Sequence, residues 1–139
     1  MIITSRVEVA IGHRLLGYIG KCAFIHGHNY NFEISIQGNT DALGLVVDFK
    51  DLKKDIKEIL KPFDHALVLH REDPLAELLP TEKVVLLSVN PTAENFASLL
   101  YGSLIDRNYS PSTVIVRETE DGWAEAIAVD RKVRIVSIQ

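Results

Sequence analysis

The stretch that most constrains this chain is residues 26–37. Tyr30, Phe32, Ile34 and Ile36 alternate with Asn31, Glu33, Ser35 and Gln37, the period of two that a strand shows when only one face is buried. His26 and His28 share the parity of the apolar set. Two residues apart in an extended chain, they leave on the same side with Cα atoms roughly 6.5–7 Å apart. Two imidazoles so placed can converge on one metal ion, and Gly27 between them keeps the opposite face free of bulk.

A second alternating segment covers residues 2–13. Val7, Val9 and Ile11 share a face, and His13 has their parity. If that strand stays extended through Gly12, two strands of one sheet bring three histidines to one edge of one face. A lone histidine is most simply a hydrogen-bonded or surface residue. Three at matched parity, two of them as His-Gly-His, favour a metal, and three neutral imidazoles suit zinc with a fourth position open. Only one cysteine, Cys22, is present, so a closed cysteine-rich structural site is excluded, as is an intrachain disulfide.

Residues 14–27 read as a loop broken by Gly17, Gly20 and Gly27. A free cysteine is ordinarily an inert buried side chain. Cys22 stands four residues before His26, and a neighbouring cation would raise its thiolate fraction and make it reactive. Farther on, Gly38-Asn39-Thr40-Asp41 is a turn. Phe49, Leu52, Ile56, Ile59 and Leu60 recur at steps of three and four, predicting an amphipathic helix over about 49–61, N-capped by Asp48 and ended by Pro62. Its lysines and acids are most simply a solvated surface. Asp64-His65 follows; an acid beside a histidine can orient the ring for proton transfer, but sequence neighbours face each other only across a bent backbone, and a surface loop is the simpler reading. His70, beside Glu72-Asp73, reads as surface.

Residues 71–90 read as irregular, with Pro74 and Pro80, ending in an apolar run, Val84 to Leu87, that is a strand or a subunit contact. Asn90-Pro91 reads as an N-cap with proline at the first helical position, opening a second helix over about 91–107. Glu94 in its first turn suits the helix dipole, a structural role. Residues 113–119 form a third strand on which Val114, Val116 and Glu118 share a face. Glu118 is either a strand-end surface acid or a partly buried carboxylate for a donor-rich ligand. Asp121-Gly122 signals a hairpin, residues 123–129 a fourth strand, and residues 132–138 a tail that adds an edge strand or crosses to a neighbour.

The expected architecture is one α+β domain over residues 1–139, ordered ββααββ, with a four-stranded antiparallel sheet and two helices on one face. Formal net charge is −4, which does not favour nucleic acid or an anionic membrane as partner. No apolar run approaches the ~20 residues of a membrane span and the N-terminus lacks a signal pattern, so the chain is expected to be cytoplasmic.

Gly12-His13-Arg14-Leu15, the run from Cys22 through His26-Gly27-His28-Asn29-Tyr30, Val47-Asp48-Phe49, Asp64-His65, Pro91-Thr92-Ala93-Glu94-Asn95 and Glu118-Thr119 occur together and in order. In these the chain resembles the 6-pyruvoyltetrahydropterin synthase family, including its 6-carboxytetrahydropterin synthase branch, over nearly its whole length. The resemblance implies a tunnelling fold and a homohexamer, a dimer of trimers whose sheets form a barrel, with active sites between subunits. It implies His13, His26 and His28 as zinc ligands, Cys22 as general base, Asp64 and His65 as a proton relay, and Glu118 as the pterin anchor. The implied reaction converts 7,8-dihydroneopterin triphosphate to 6-carboxytetrahydropterin, releasing acetaldehyde and triphosphate, in queuosine-type deazapurine synthesis. Three residues separate Cys22 from His26, as in the carboxy branch. Arg14 and Lys21 are candidates for the triphosphate by proximity alone. The alternatives are a pyruvoyl synthase or archaeal-type pterin enzyme on the same substrate, and, in another class, a non-catalytic zinc-stabilised oligomeric binding protein. The segment Ala66-Leu67-Val68-Leu69-His70 and the chain beyond the fourth strand depart from the family pattern.

Overall fold

The computed structural model describes residues 1–79 and 83–139; Pro80, one of the prolines behind the irregular reading of 71–90, lies outside them. Among the described residues the regular elements are, in order, β1 (Ile2–His13), β2 (His26–Gln37), α1 (Phe49–Leu60), β3 (Ala66–His70), β4 (Val84–Leu87), α2 (Ala93–Asp106), β5 (Pro111–Arg117), β6 (Trp123–Ala126) and β7 (Ile135–Ile138), with short 3-10 turns at Lys21–Ala23 and Pro74–Leu78. Among the described residues no helix is long and apolar enough to cross a membrane.

The sheet has seven strands, in the order β6-β5-β2-β1-β3-β4-β7, not the four expected. It is also mixed: β3 runs parallel to β1, and β4 parallel to β3. The four strands read from sequence form one antiparallel half. In the other half the run Val84–Leu87 is a strand, one of the two readings it allowed; what alternation missed is β3 and the parallel pairing, for a physical reason. Leu69 and Val84 turn away from the main core and pack with Ala76 of the 3-10 turn in a second cluster, while Val68, Val85 and Leu87 face the main core. Strands buried on both faces read as continuous apolar runs with no period. The tail joins the sheet as an edge strand, β7 pairing antiparallel with β4, and β6 is shorter than the expected 123–129 because it ends at Ala126.

Both helices lie against the face that carries Val7, Val9, Ile11, Tyr30, Phe32 and Ile34, and Leu52, Ile56, Leu60, Phe96 and Leu100 complete one core with them. Asp48 caps α1, its side chain accepting from the Lys50 N–H. The cap of α2 is Thr92, accepting from the Asn95 N–H, so Pro91 stands outside the helix and Asn90 is not its cap. Phe96 is the hub of the core. Its ring makes edge contacts with Tyr30 at 5.2 Å and with Phe63 at 5.5 Å between centroids. Phe96→Ala is expected to lower stability by about 3–5 kcal/mol, read as a shift in the urea midpoint with the slope unchanged; a loss below about 1 kcal/mol would show that the core closes over the gap.

Candidate metal centre and active site

Register makes the centre. In the antiparallel pair β1–β2, His13 lies opposite His26 and Ile11 opposite His28, so all three imidazoles emerge at one end of the buried face. Ligand atoms of His13, His26 and His28 lie within 4.8 Å of one another. Gly27 permits the close pairing beneath them: a Cβ there would sit 3.0 Å from the Ile11 carbonyl oxygen.

The hydrogen bonds of the rings fix which atoms meet. Nδ1 of His13 donates to the Pro91 carbonyl at 2.7 Å, and Nδ1 of His26 to the Phe24 carbonyl at 2.8 Å. A carbonyl only accepts, so each Nδ1 carries the proton and each Nε2 is a bare lone pair when its ring is neutral. Those two Nε2 atoms stand 3.0 Å apart. Two lone pairs at that distance repel unless a cation lies between them. For bonds of about 2.0–2.1 Å, ligands of one tetrahedral ion sit about 3.3 Å apart. The donor set and its carbonyl-fixed tautomers therefore fit a zinc-type ion. Burial, the largest influence, pulls the pKa of His13 below its ordinary 6.5, His26 and His28 add to the effect, and the Pro91 carbonyl and Glu118 oppose it. A neutral ring is the form that binds metal.

Tyr30, read from sequence only as a core residue of the strand, belongs to the site. It is fully buried. Its hydroxyl donates to Glu118 Oε1 at 2.8 Å and lies 3.2 Å from His13 Nε2. Glu118, just beyond β5 and about one-third exposed, comes within 3.9 Å of that same nitrogen. It is thus the partly buried acid at the end of an apolar row. Burial, then the charges of Glu118, Cys22 and Glu94, push the Tyr30 phenol well above its ordinary range. Cys22, half-buried in the 3-10 turn, and Glu94 thus share the electrostatic surroundings of the centre. Glu94 does lie in the first turn of α2, but its charge also reaches the site, which the helix-dipole reading left out.

Asp64 and His65 pair directly, His65 Nδ1 to Asp64 Oδ1 at 2.8 Å. The bent backbone this requires is present: His65 has φ 55°, in the left-handed region. Lys83 steadies the turn, donating to the carbonyl of Asp64 at 2.7 Å and of Lys61 at 3.2 Å. Both side chains are exposed. His65 lines a shallow hollow with Gly12, Gly27, His28 and Asn29. Among the described residues no hydrogen bond joins Cys22 to Asp64 or His65 within the chain.

The loop before Cys22 is tied down by residues whose role no motif announced. Arg14 Nε donates to Asp73 Oδ2 at 2.7 Å, and its Nη2 bonds Oδ1. Asn90 takes the Leu16 N–H at 2.8 Å and donates to the Leu16 carbonyl at 3.0 Å. Two of the three guanidinium nitrogens of Arg14 are thereby engaged by Asp73. His70 is half-buried rather than a free surface residue, and its charge acts on Asp73. Burial raises the pKa of Asp73, but the Arg14 hydrogen bond, the Leu75 N–H and the charges of Arg14 and His70 outweigh it, and the carboxyl titrates below its ordinary 3.8.

A depressed carboxyl contributes stability that is full above the unfolded pKa of about 3.9 and is lost as pH falls through the lower folded value. Asp73→Asn is expected to cost about 3 kcal/mol at pH 7. That is the lower end for breaking a buried pair, because the Arg14 side chain keeps 24% of its surface in water. The gap to the parent should narrow below about pH 4. Denaturant melts across that range measure it, and a gap constant with pH would deny the pair its charge.

Fold and site together define a class: an α+β protein with a three-histidine cluster able to hold a metal at the end of two paired strands. A family model described as 6-pyruvoyl tetrahydropterin synthase matches residues 2–128. A 6-carboxy-5,6,7,8-tetrahydropterin synthase of Rickettsia felis is 38% identical, covering 88% of this chain and 96% of the relative. One of Haemophilus influenzae is 33% identical over the same shares. The 6-pyruvoyl tetrahydropterin synthase of Caenorhabditis elegans superposes with a TM-score of 0.69 at 23% identity, over 92% of this chain and 95% of that one, and so shares the tunnelling-type fold. The chain belongs to the 6-pyruvoyl tetrahydropterin synthase family, a family of enzymes.

Proposed function

We propose that this protein is a zinc-dependent 6-carboxy-5,6,7,8-tetrahydropterin synthase acting on 7,8-dihydroneopterin triphosphate, with acetaldehyde and triphosphate as the other products. The observation that carries the proposal is the convergence of three imidazoles, two with Nδ1 held by carbonyls and bare Nε2 atoms 3.0 Å apart. The relatives named for the carboxy reaction support the choice of branch, and so does the short spacer from Cys22 to His26.

His13, His26 and His28 would hold the zinc, which when bound supplies Lewis-acid polarisation of side-chain oxygens. Cys22 takes a proton from the substrate side chain as its thiolate. Asp64 holds the Nδ1–H of His65, which leaves Nε2 to give or receive a proton. Glu118 Oε1 is occupied by Tyr30, so Oε2 is the atom left to accept from the 2-amino and ring N–H groups of a pterin. Tyr30 fixes the rotation of that carboxylate.

The relay and the thiol come from different subunits of a homohexamer. One feature supporting such an assembly is the edge of β1: β3 pairs only with Ile11, Gly12 and His13, which leaves most of β1 able to take a further strand. Another is the set of exposed apolar side chains near Cys22, including Ile19 and Phe24. Incubating zinc-loaded protein with 7,8-dihydroneopterin triphosphate and identifying products by mass spectrometry tests the reading. Carboxytetrahydropterin with acetaldehyde is expected. A pyruvoyl pterin would move the enzyme to the other branch, and no turnover with zinc bound would leave a binding protein.

A further inference from the structure

Beyond its own 3-10 turn, the backbone of Cys22 is held at one point among the described residues: its carbonyl accepts from the Leu15 N–H at 2.8 Å. The arc between those two residues turns through Gly17 at φ 78° and Gly20 at φ 143°, conformations that glycine takes without strain. The arc therefore has little stiffness of its own. On the far side of the thiol the chain is tied at Phe24, whose carbonyl accepts from the ring of His26. Within the chain, the place of the thiol thus depends on what holds Leu15 and Leu16.

The side chain of Asn90 does so. Its carboxamide oxygen accepts from the Leu16 N–H at 2.8 Å, and its amide nitrogen donates to the Leu16 carbonyl at 3.0 Å. A carboxamide that meets both backbone groups of one residue does the work of a neighbouring strand, and a donor on one side with an acceptor on the other allows the amide one orientation. Asn90 is anchored in turn. Its own carbonyl accepts from the Thr92 N–H at 2.9 Å and from Asn95 Nδ2 at 2.8 Å. Asn95 lies in the first turn of α2, next to Phe96, which is 1% exposed. A continuous line of hydrogen bonds so runs from the base of α2 through Asn90, Leu16 and Leu15 to Cys22. Capping, the structural task that the position of Asn90 suggests, belongs to Thr92.

We infer that Asn90 is a positioning residue for the Cys22 thiol. The use of that thiol as a base rests on the pterin reading; the holding of the thiol does not.

Asn90→Ala removes both bonds to Leu16. A misplacement of about 1 Å can cost about 10²-fold in rate, so kcat with 7,8-dihydroneopterin triphosphate is expected to fall about 10–100-fold. KM and zinc content should stay, because the Pro91 carbonyl that sets the ring of His13 is untouched. The loss should act through the thiol: added to Cys22→Ala, Asn90→Ala is expected to lower kcat hardly further, the non-additivity of two groups that act as one. Asn90→Asp has nearly the same shape and keeps the acceptor for the Leu16 N–H, but it sets an oxygen against the Leu16 carbonyl. It is expected to behave as Asn90→Ala does, and it decides the matter if the alanine variant folds poorly. Retained kcat in these variants, or an undiminished effect in the Cys22→Ala background, overturns the inference. A second measurement needs no pterin. Cys22 is half-buried, so loosening its loop should make it react severalfold faster with a bulky maleimide, and an unchanged labelling rate also overturns the inference. Faster labelling in variants of a protein that turns over no pterin would leave the positioning standing and remove the pterin reading, so the two failures are distinct.

Discussion

Replacing His13 by alanine is expected to strip the metal from the protein and abolish turnover. His13 is the most buried of the three imidazoles, 2% exposed, and its tautomer is set by the Pro91 carbonyl. Loss of a group that merely orients a ligand costs 10–100-fold in metal affinity; loss of the ligand itself should exceed about 100-fold. Metal analysis after dialysis against a weak chelator reads this directly, and full zinc stoichiometry in His13→Ala would remove the site. The same change deletes a buried ring against Tyr30, so the variant should also melt earlier. His28→Ala separates the two effects, because that ring is only half-buried: metal loss is expected with a smaller loss of stability.

Cys22→Ala is expected to do the opposite, keeping the metal and losing the chemistry. A positioned general base contributes about 10²–10⁴-fold, and kcat should fall by that amount with zinc content unchanged. The 3-10 turn that carries Cys22 buries none of its residues, so stability should hardly move. Alkylation of the thiol should inactivate the wild-type protein in parallel. Retained kcat in Cys22→Ala would transfer the proton to another group, and the acids whose charges reach Tyr30 would be the first to examine.

The first contrast rests on residues legible in the sequence as geometry, whereas the role of Cys22, in a 3-10 turn, came only from the resemblance of its run. A strand with a single buried face writes its orientation as parity, and parity alone puts His13, His26 and His28 on one side of one sheet. The register that sets His13 opposite His26 is what the pattern of β1 and β2 requires. The same logic fails for β3 and β4, whose two faces are both buried and so leave no period to read. It fails differently at Asn90. The pair Asn90-Pro91 matches a helix start, yet Thr92 makes the cap and the amide of Asn90 instead serves a loop more than seventy residues earlier. Long-range side-chain partners such as Arg14 with Asp73 write no local pattern at all. Tyr30 was hidden in another way: its parity marked it as core, and it is core, but its hydroxyl also serves the site.

Three consecutive residues, Asn90, Pro91 and Thr92, grip three different parts of the chain: the loop leading to Cys22, the ring of His13 and the first turn of α2. The thiol-bearing loop and His13 are thus referred to one short length of backbone. A displacement of α2 carries both together, as two instruments bolted to one bench move with it, and their separation changes little. In a reaction whose proton transfers are sensitive to fractions of an ångström, that shared mounting lets the rest of the molecule vibrate without detuning the centre.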